Sequence, residues 1–183
     1  MTEDDLFELM DSVLHPLGSA SEEGDEVRGP DLDVLGYYAR PIRLSALPIV
    51  GRGLSVVALC RQPIDIGLAG NGYRGLIERL ARVVNTRFPP VRRGRGLMLG
   101  LTAVVATPEP IGADEEAILA KTLGPVARTR AVPLGIFRIN LGQEAVSFAL
   151  RRGPEGVFPE PDALADAFVT RLRRFLTILE FGG

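Results

Sequence analysis

The chain has 183 residues and a formal charge of −2, a length that suits one domain with a single substantial core. Its apolar runs are far shorter than the ~20 residues that span a bilayer, which excludes a transmembrane helix. One cysteine, Cys60, and one histidine, His15, exclude an internal disulfide and a structural zinc site. We therefore expect no metal and no cofactor. Because the first residues lack the pattern of a secretory signal, we also expect a cytoplasmic protein.

Charge is divided along the chain. Residues 1–33 hold eleven acidic residues and one base, Arg28, whereas the remainder holds twenty basic and twelve acidic residues. This asymmetry indicates either an arm that masks a basic surface or a body that binds an anionic partner. We predict an acidic arm with a flexible linker over residues 1–33 and a single α+β domain over residues 34–183.

The arm itself has two parts. Thr2 and Asp5 have the spacing of a capping box, and the apolar residues from Leu6 to Leu14 fall on one helical face until Pro16 ends the pattern. Residues 18–33 are rich in acids, Gly, Ser and Pro and hold few large apolar groups. Such a composition predicts a linker rather than an ordered element.

The body predicts strands and helices in the order ββα, βα, ββα. Two strands are expected between Gly36 and Ile66, followed by a helix that Pro89 and Pro90 end. The remaining elements are a buried strand over 97–106, a short helix over 114–123, a hairpin over 132–151 that turns at 141–144, and a last helix that begins at Pro161. We predict an α+β fold with a mainly antiparallel sheet of about five strands and two long helices on one face.

Two segments of the body resemble each other. Residues 50–63 and 141–154 match at five of fourteen positions, and each comprises a turn, a buried strand, an arginine and a proline. An internal ββα duplication would explain this and predicts approximate two-fold symmetry in the sheet. Convergence of two hairpins in one sheet is the alternative.

The sharpest motif is the glycine-rich segment 70–75, which fits G-x-G-x-x-G between an apolar segment and a helix. Backbone amides at such a turn can cradle a diphosphate, and an arginine cluster stands where a ribose-binding acid is expected. The residues of this candidate ligand site are Gly70, Gly72, Gly75, Arg92, Arg93 and Arg95. The alternative is a glycine-rich turn with a purely structural role.

A basic face is also possible on the body. Its members would be Arg92, Arg93, Arg95, Arg151, Arg152, Arg171, Arg173 and Arg174. Aromatic residues make up 6% of the chain and tryptophan is absent, so platforms for stacking nucleic-acid bases are scarce. Solvated arginines without a ligand are the simpler interpretation.

Catalytic patterns are weak. Cys60 lies in an apolar strand, His15 lies at a helix end, and no serine stands in a G-x-S-x-G elbow. We predict no catalytic residues and favour a non-catalytic protein-interaction or assembly module, with a protein partner or a second copy. A phosphorylated-ligand or nucleotide-binding protein that uses the glycine turn is one alternative, and a nucleic-acid-binding body is another.

Overall fold

The computed structural model describes residues 1–23, 28–29, 32–44, 51–62, 72–89, 98–151 and 158–172. Its elements are α1 (Glu3–Leu14), β1 (Ala20–Glu23), β2 (Arg28–Gly29), β3 (Leu32–Leu44), β4 (Gly51–Arg61), α2 (Gly72–Arg87), β5 (Met98–Thr107), α3 (Glu115–Ala120), β6 (Ala131–Asn140), β7 (Ala145–Leu150) and α4 (Glu160–Leu172). Within these ranges, no helix is long and apolar enough to cross a membrane.

One mixed sheet organises the fold. Its strands follow the order β1-β3-β4-β5-β6-β7, and the two-residue β2 pairs with β3 off this path. β3–β4 and β6–β7 pair antiparallel, whereas β4–β5 and β5–β6 pair parallel. The predicted α+β class is confirmed, but the sheet is mixed and has more strands than expected. The reason is that α2 and α3 each return the chain across the sheet, so that the next strand enters in the same direction.

Helices cover both faces of the sheet. On the α1/α4 face, those two helices pack with Val57, Leu59 and Phe137. On the α2/α3 face, the other two helices pack with Val56 and Ile136 and with neighbouring strand residues. The two long helices of the body, α2 and α4, therefore lie on opposite faces and not on one face as predicted. Central strands covered on both sides are apolar at consecutive positions, which explains the uninterrupted apolar run of β4.

The N-terminal residues are built into this core. The predicted capping box is confirmed, since Asp5 N donates to Thr2 Oγ1 at 3.2 Å and Thr2 N donates to an Asp5 carboxylate oxygen at 2.7 Å. α1 buries four side chains almost completely against the sheet, namely Leu6, Leu9, Met10 and Leu14. The amphipathic pattern of α1 thus serves intramolecular packing.

The structure differs from the predicted linker. β1 lies within residues 18–33 and pairs with β3, with Ser21 opposite Tyr38, and β3 begins at Leu32 and so crosses the predicted boundary. The physical reason is that the edge of β3 offers backbone hydrogen-bond partners, and these order a segment whose own composition does not favour a strand.

The symmetry expected from a duplication is not seen. A two-fold axis through the five strands β3 to β7 would exchange β4 with β6, yet the similar segments are β4 and β7. β4 lies inside the sheet and β7 ends the strand path. Convergence of two hairpin strands accounts for their similarity without symmetry.

Candidate functional site

A buried polar network lies where the three parallel strands end. Gln62 directly follows β4, Thr107 is the last residue of β5, and Asn140 is the last residue of β6. Ligand sites in sheets with parallel strands form outside this carboxyl edge, because the connecting loops begin there. The edge is therefore the first place to look for chemistry.

Arg138 is the centre of the network, and its side chain is fully buried. It donates to Tyr73 Oη at 2.8 Å, to Glu109 Oε2 at 2.9 Å and to the Pro110 carbonyl at 3.2 Å, and it also pairs with Glu115. Burial by itself lowers the pKa of Arg138, but the hydrogen bond to Glu115 and the surrounding charges outweigh it and raise the pKa above the ordinary value. The guanidinium is charged at every working pH.

The other members of the network fix the loop after β5. The Tyr73 hydroxyl donates to Gln62 Oε1 at 2.6 Å, and Thr107 also donates to that oxygen. Asn140 Nδ2 donates to the carbonyls of Pro108 at 3.2 Å and Glu109 at 2.8 Å. Burial raises the pKa of Tyr73, so its hydroxyl stays protonated and acts as a donor. Residues 108–110 are held down by this network.

A cavity of about 450 Å³ opens beside the network, and its polar lining comes from Glu3, Arg61, Gln62, Thr107 and Asn140. Arg61 is bidentate to Glu3, with both nitrogen–oxygen distances 2.7 Å, and its third nitrogen lies 2.8 Å from Asp33 Oδ2. The hydrogen bond from Arg61 lowers the pKa of Glu3 below its usual range. Each of these charged groups already has an opposite charge beside it.

The polar network at this edge has a structural role. Arg138, Tyr73 and Asn140 are hydrogen-bonded within the network, whereas Glu115 Oε2 is buried without a hydrogen-bond partner among the described residues. The described residues contain no cluster of three or more metal-ligating side chains. Cys60, the one cysteine of the sequence, is fully buried, and burial raises its pKa to about 12. A thiol with such a pKa is a poor nucleophile at neutral pH. The network therefore holds loop and sheet together.

The structure brings part of the glycine motif to the same edge. Gly72 is the first residue of α2 and Gly75 lies in its first turn, whereas Gly70, Arg92, Arg93 and Arg95 lie outside the described residues. β4, α2 and β5 form the parallel βαβ unit that a phosphate loop requires. However, a Cβ at Gly75 would meet the Arg79 guanidinium at 3.5 Å and nothing closer. The close helix–strand contact that the third glycine normally permits is not made here.

Two described residues of the motif, Tyr73 and Arg74, have structural partners. Tyr73 belongs to the polar network, and Arg74 donates to the carbonyls of Thr122, Gly124 and Pro125 at distances of 2.9, 2.8 and 2.6 Å. Arg74 thereby attaches the segment after α3 to α2. Phosphate binding at this turn remains a prediction.

The described members of the predicted basic face lie on different elements of the fold. Arg151 directly follows β7, whereas Arg171 lies in the last turn of α4, where its charge contributes to lowering the pKa of Asp5 after the hydrogen bonds from Thr2. Arg152, Arg173 and Arg174 lie outside the described residues, as do Arg92, Arg93 and Arg95. The two described members therefore do not form one patch.

Acidic and basic residues are concentrated on opposite faces of the sheet. α1 and α4, which pack side by side, hold eight acidic residues and one base. α2, α3 and the segment 121–130 hold seven basic and three acidic residues. The exposed acids of the α1/α4 face are Asp4, Glu8, Asp162 and Asp166. This face therefore carries a negative potential.

A groove of about 410 Å³ runs between α1 and the β1 edge of the sheet. Its apolar lining includes the half-buried Phe7 and Leu35, and Asp11 contributes a carboxylate. Glu22 also lines the groove, but in the register of the sheet its side chain projects to the opposite face of β1, where it meets Arg87 at 3.2 Å. A Cβ at Gly36 would lie 3.3 Å from the Phe7 ring, so the glycine lets that ring approach the strand closely. We refer to this feature as the α1/β1 groove.

Sequence reasoning missed the α1/β1 groove because it treated α1 and residues 18–33 as an appendage. One signal was present: Phe7 and Val13 extend the apolar stripe of α1 beyond a narrow face, which indicates contact on two sides. No family model, no curated protein and no solved structure matches the chain. Its function has to be inferred from its own geometry.

Proposed function

We propose that this protein is a non-catalytic interaction module that binds a protein partner through its α1/α4 face. The observation that carries the proposal is the set of four exposed acidic residues on two adjacent helices that hold one base, namely Asp4, Glu8, Asp162 and Asp166. Exposed charge of one sign steers a partner of opposite sign and fixes its orientation. Asp4, Glu8 and Ser12 form one exposed stripe along α1, at the four-residue spacing of a helix face.

The carboxyl edge of the sheet supports this choice indirectly. Its polar groups are hydrogen-bonded to one another around Arg138, and its accessible arginine, Arg61, is held by two carboxylates. A ligand at this edge would have to displace those partners. The α1/α4 face, in contrast, presents carboxylates that have solvent around them.

The α2/α3 face makes a second copy of the chain one possible partner, because its charge is of the opposite sign. Contact between two different faces is heterologous and produces rings or open chains rather than a symmetric dimer. Cross-linked products distinguish the two cases by mass, since self-association yields multiples of the mass of the chain.

A photo-reactive side chain placed at Ser12 tests the proposal in the cells that produce the protein. The matched control is the same group at Thr86 on α2, because both residues are exposed hydroxyls bonded to a carbonyl of their own helix. We expect a discrete protein adduct from position 12 that disappears in the Glu8→Lys, Asp166→Lys variant. Equal adducts from both positions, or an adduct that survives the charge reversal, would refute this face as the interface.

A further inference from the structure

We propose that an internal water molecule is bound between α3 and β7, where it donates a hydrogen bond to Glu115 Oε2 and accepts one from Ser147 Oγ. Both oxygen atoms are buried, and neither has a hydrogen-bond partner among the described residues. Buried polar groups that have no protein partner are satisfied by ordered water, which makes about three such bonds. The inference goes beyond the proposed function, because it concerns the interior of the molecule.

The guanidinium of Arg138 cannot satisfy the second oxygen of Glu115. All of its N–H groups are engaged, and their acceptors belong to Tyr73, Thr107, Glu109, Pro110 and Glu115 itself. Glu115 Oε1 accepts one of these bonds and a further bond from Gly112 N at 2.7 Å. The lone pairs of Oε2 therefore need a donor from outside the network.

Ser147 is the residue of β7 that lies beside Arg138. The two residues are opposite each other in the β6–β7 register. The bond from Arg151 N to the Leu134 carbonyl identifies 138/147 as one of the hydrogen-bonded pairs of this ladder, whose Cα atoms are ~5.5 Å apart. Directly opposed side chains project to the same face of a sheet, so the Ser147 hydroxyl shares the α2/α3 face with Arg138.

α3 brings the carboxylate of Glu115 to this face. The helix packs against β7, and its two buried side chains are Glu115 and Leu119, which lie one turn apart on the same side of the helix. Leu119 belongs to the same apolar cluster as Ala149, the next residue of β7 on the face of Ser147. Glu115 and Ser147 therefore both lie at the interface between α3 and β7, and no bulky side chain of β7 projects into it from this face.

A water molecule matches the needs of both groups. The carboxylate oxygen can only accept hydrogen bonds, and the serine hydroxyl can donate one bond to an acceptor. Water both donates and accepts, so a single molecule can satisfy the two oxygen atoms at once. Without such a donor, the buried Glu115 would pay the desolvation of its second oxygen in full.

Burial of the site determines how this water exchanges. Arg138, Glu115 and Ser147 are all buried, so that no open path leads from the two oxygen atoms to solvent. Exchange then requires a local opening of α3 away from β7. We therefore expect a residence time far longer than that of a surface water.

A crystal structure of the full chain, at a resolution that shows ordered water, tests the inference directly. We expect one water molecule within about 2.5–3.0 Å of both Glu115 Oε2 and Ser147 Oγ. A direct hydrogen bond between these two atoms, or a contact region without a water molecule, would overturn the inference.

Magnetic relaxation dispersion tests it in solution, because the method counts long-lived internal waters. Ser147→Val replaces the hydroxyl by methyl groups that fill the position, so we expect the count to fall by one molecule. The matched control is Thr122→Val, since this buried hydroxyl already donates to the Leu119 carbonyl at 2.6 Å, and its loss should leave the count unchanged. Thermal unfolding shows that both variants fold.

An unchanged count in Ser147→Val, or an equal fall in both variants, would contradict the assignment. If the valine at position 147 prevents folding, the crystal structure of the unaltered chain decides the question by itself.

Discussion

A fully buried arginine at position 138 connects three separate segments of this fold. Its guanidinium sits between two glutamates that come from the loop after β5 and from the start of α3, and it also bonds the Tyr73 hydroxyl of α2. The desolvation of such a charge is offset only by complete pairing. The residue therefore selects one arrangement of three separate segments.

Removing the charge of Arg138 while keeping its bulk should unfold much of this arrangement. We expect Arg138→Met to lower the free energy of unfolding by about 3–5 kcal/mol, because the buried Glu115 would lose its countercharge. Chemical denaturation measures the change, and Arg82→Met, at an exposed position of α2, is the control that should have little effect. A loss below about 1 kcal/mol in Arg138→Met would mean that the network is hydrated and does not stabilise the fold.

The sequence could not identify Arg138 as this centre. Arg138 is one of twenty arginines. It lies in a largely apolar strand, and the alternation of apolar and polar residues that is typical of a half-buried strand does not mark it as buried. What distinguishes it is the approach of residues 73, 109 and 115, which are distant along the chain. Only the folded sheet places these residues around one guanidinium.

At the scale of elements, helix and strand positions followed closely from local patterns. The capping box of α1, the end of α2 before Pro89 and the turn at 141–144 all depend on interactions within a few residues, and each agrees with the structure. β1 was missed because its strand state depends on pairing with β3. Local rules succeed where the stabilising partner is also local.

The glycine motif can be tested at this scale through the helix that contains it. We expect Gly75→Ala to raise the free energy of unfolding by about 0.5–1 kcal/mol, because alanine favours a helix and the added Cβ has room. Thermal or chemical unfolding measures this. The control is Gly100→Ala, which should destabilise the chain since its Cβ would lie 2.6 Å from a Leu134 methyl and collide with Phe158.

A stability loss in Gly75→Ala would mean that the fold requires a glycine here, contrary to the open space around its Cβ position. Unchanged folding combined with loss of a bound phosphate compound would favour the nucleotide-binding alternative. The two readouts therefore separate a structural glycine from a ligand-binding one.

At the scale of the whole molecule, the N-terminal residues belong to the same core as the body. α1 buries Leu6, Leu9, Met10 and Leu14, and burial of one such side chain is worth about 1.5–3 kcal/mol. Displacing α1 to uncover a basic surface would cost most of the stability of an ordinary domain. An arm that acts as a removable mask is therefore inconsistent with this packing.

Truncation provides the test. We expect a chain without residues 1–18 to lose cooperative thermal unfolding and to aggregate, because the apolar side chains of the sheet that α1 covers would be exposed to water. Circular dichroism and hydrodynamic mass measure this, and Leu6→Ala should show a graded loss of about 2–5 kcal/mol. A truncated chain that unfolds cooperatively and gains affinity for heparin would instead support masking.

The sequence by itself determined the α+β class, the order of most helices and strands and the separation of charge, because these depend on local periodicity, capping and composition. The tertiary structure alone decided that the sheet is mixed, that α2 and α4 lie on opposite faces and that the acidic residues form a surface beside a groove. Those features arise from pairing and packing between residues far apart in the chain, and a local pattern carries no record of which distant strand or helix it will meet.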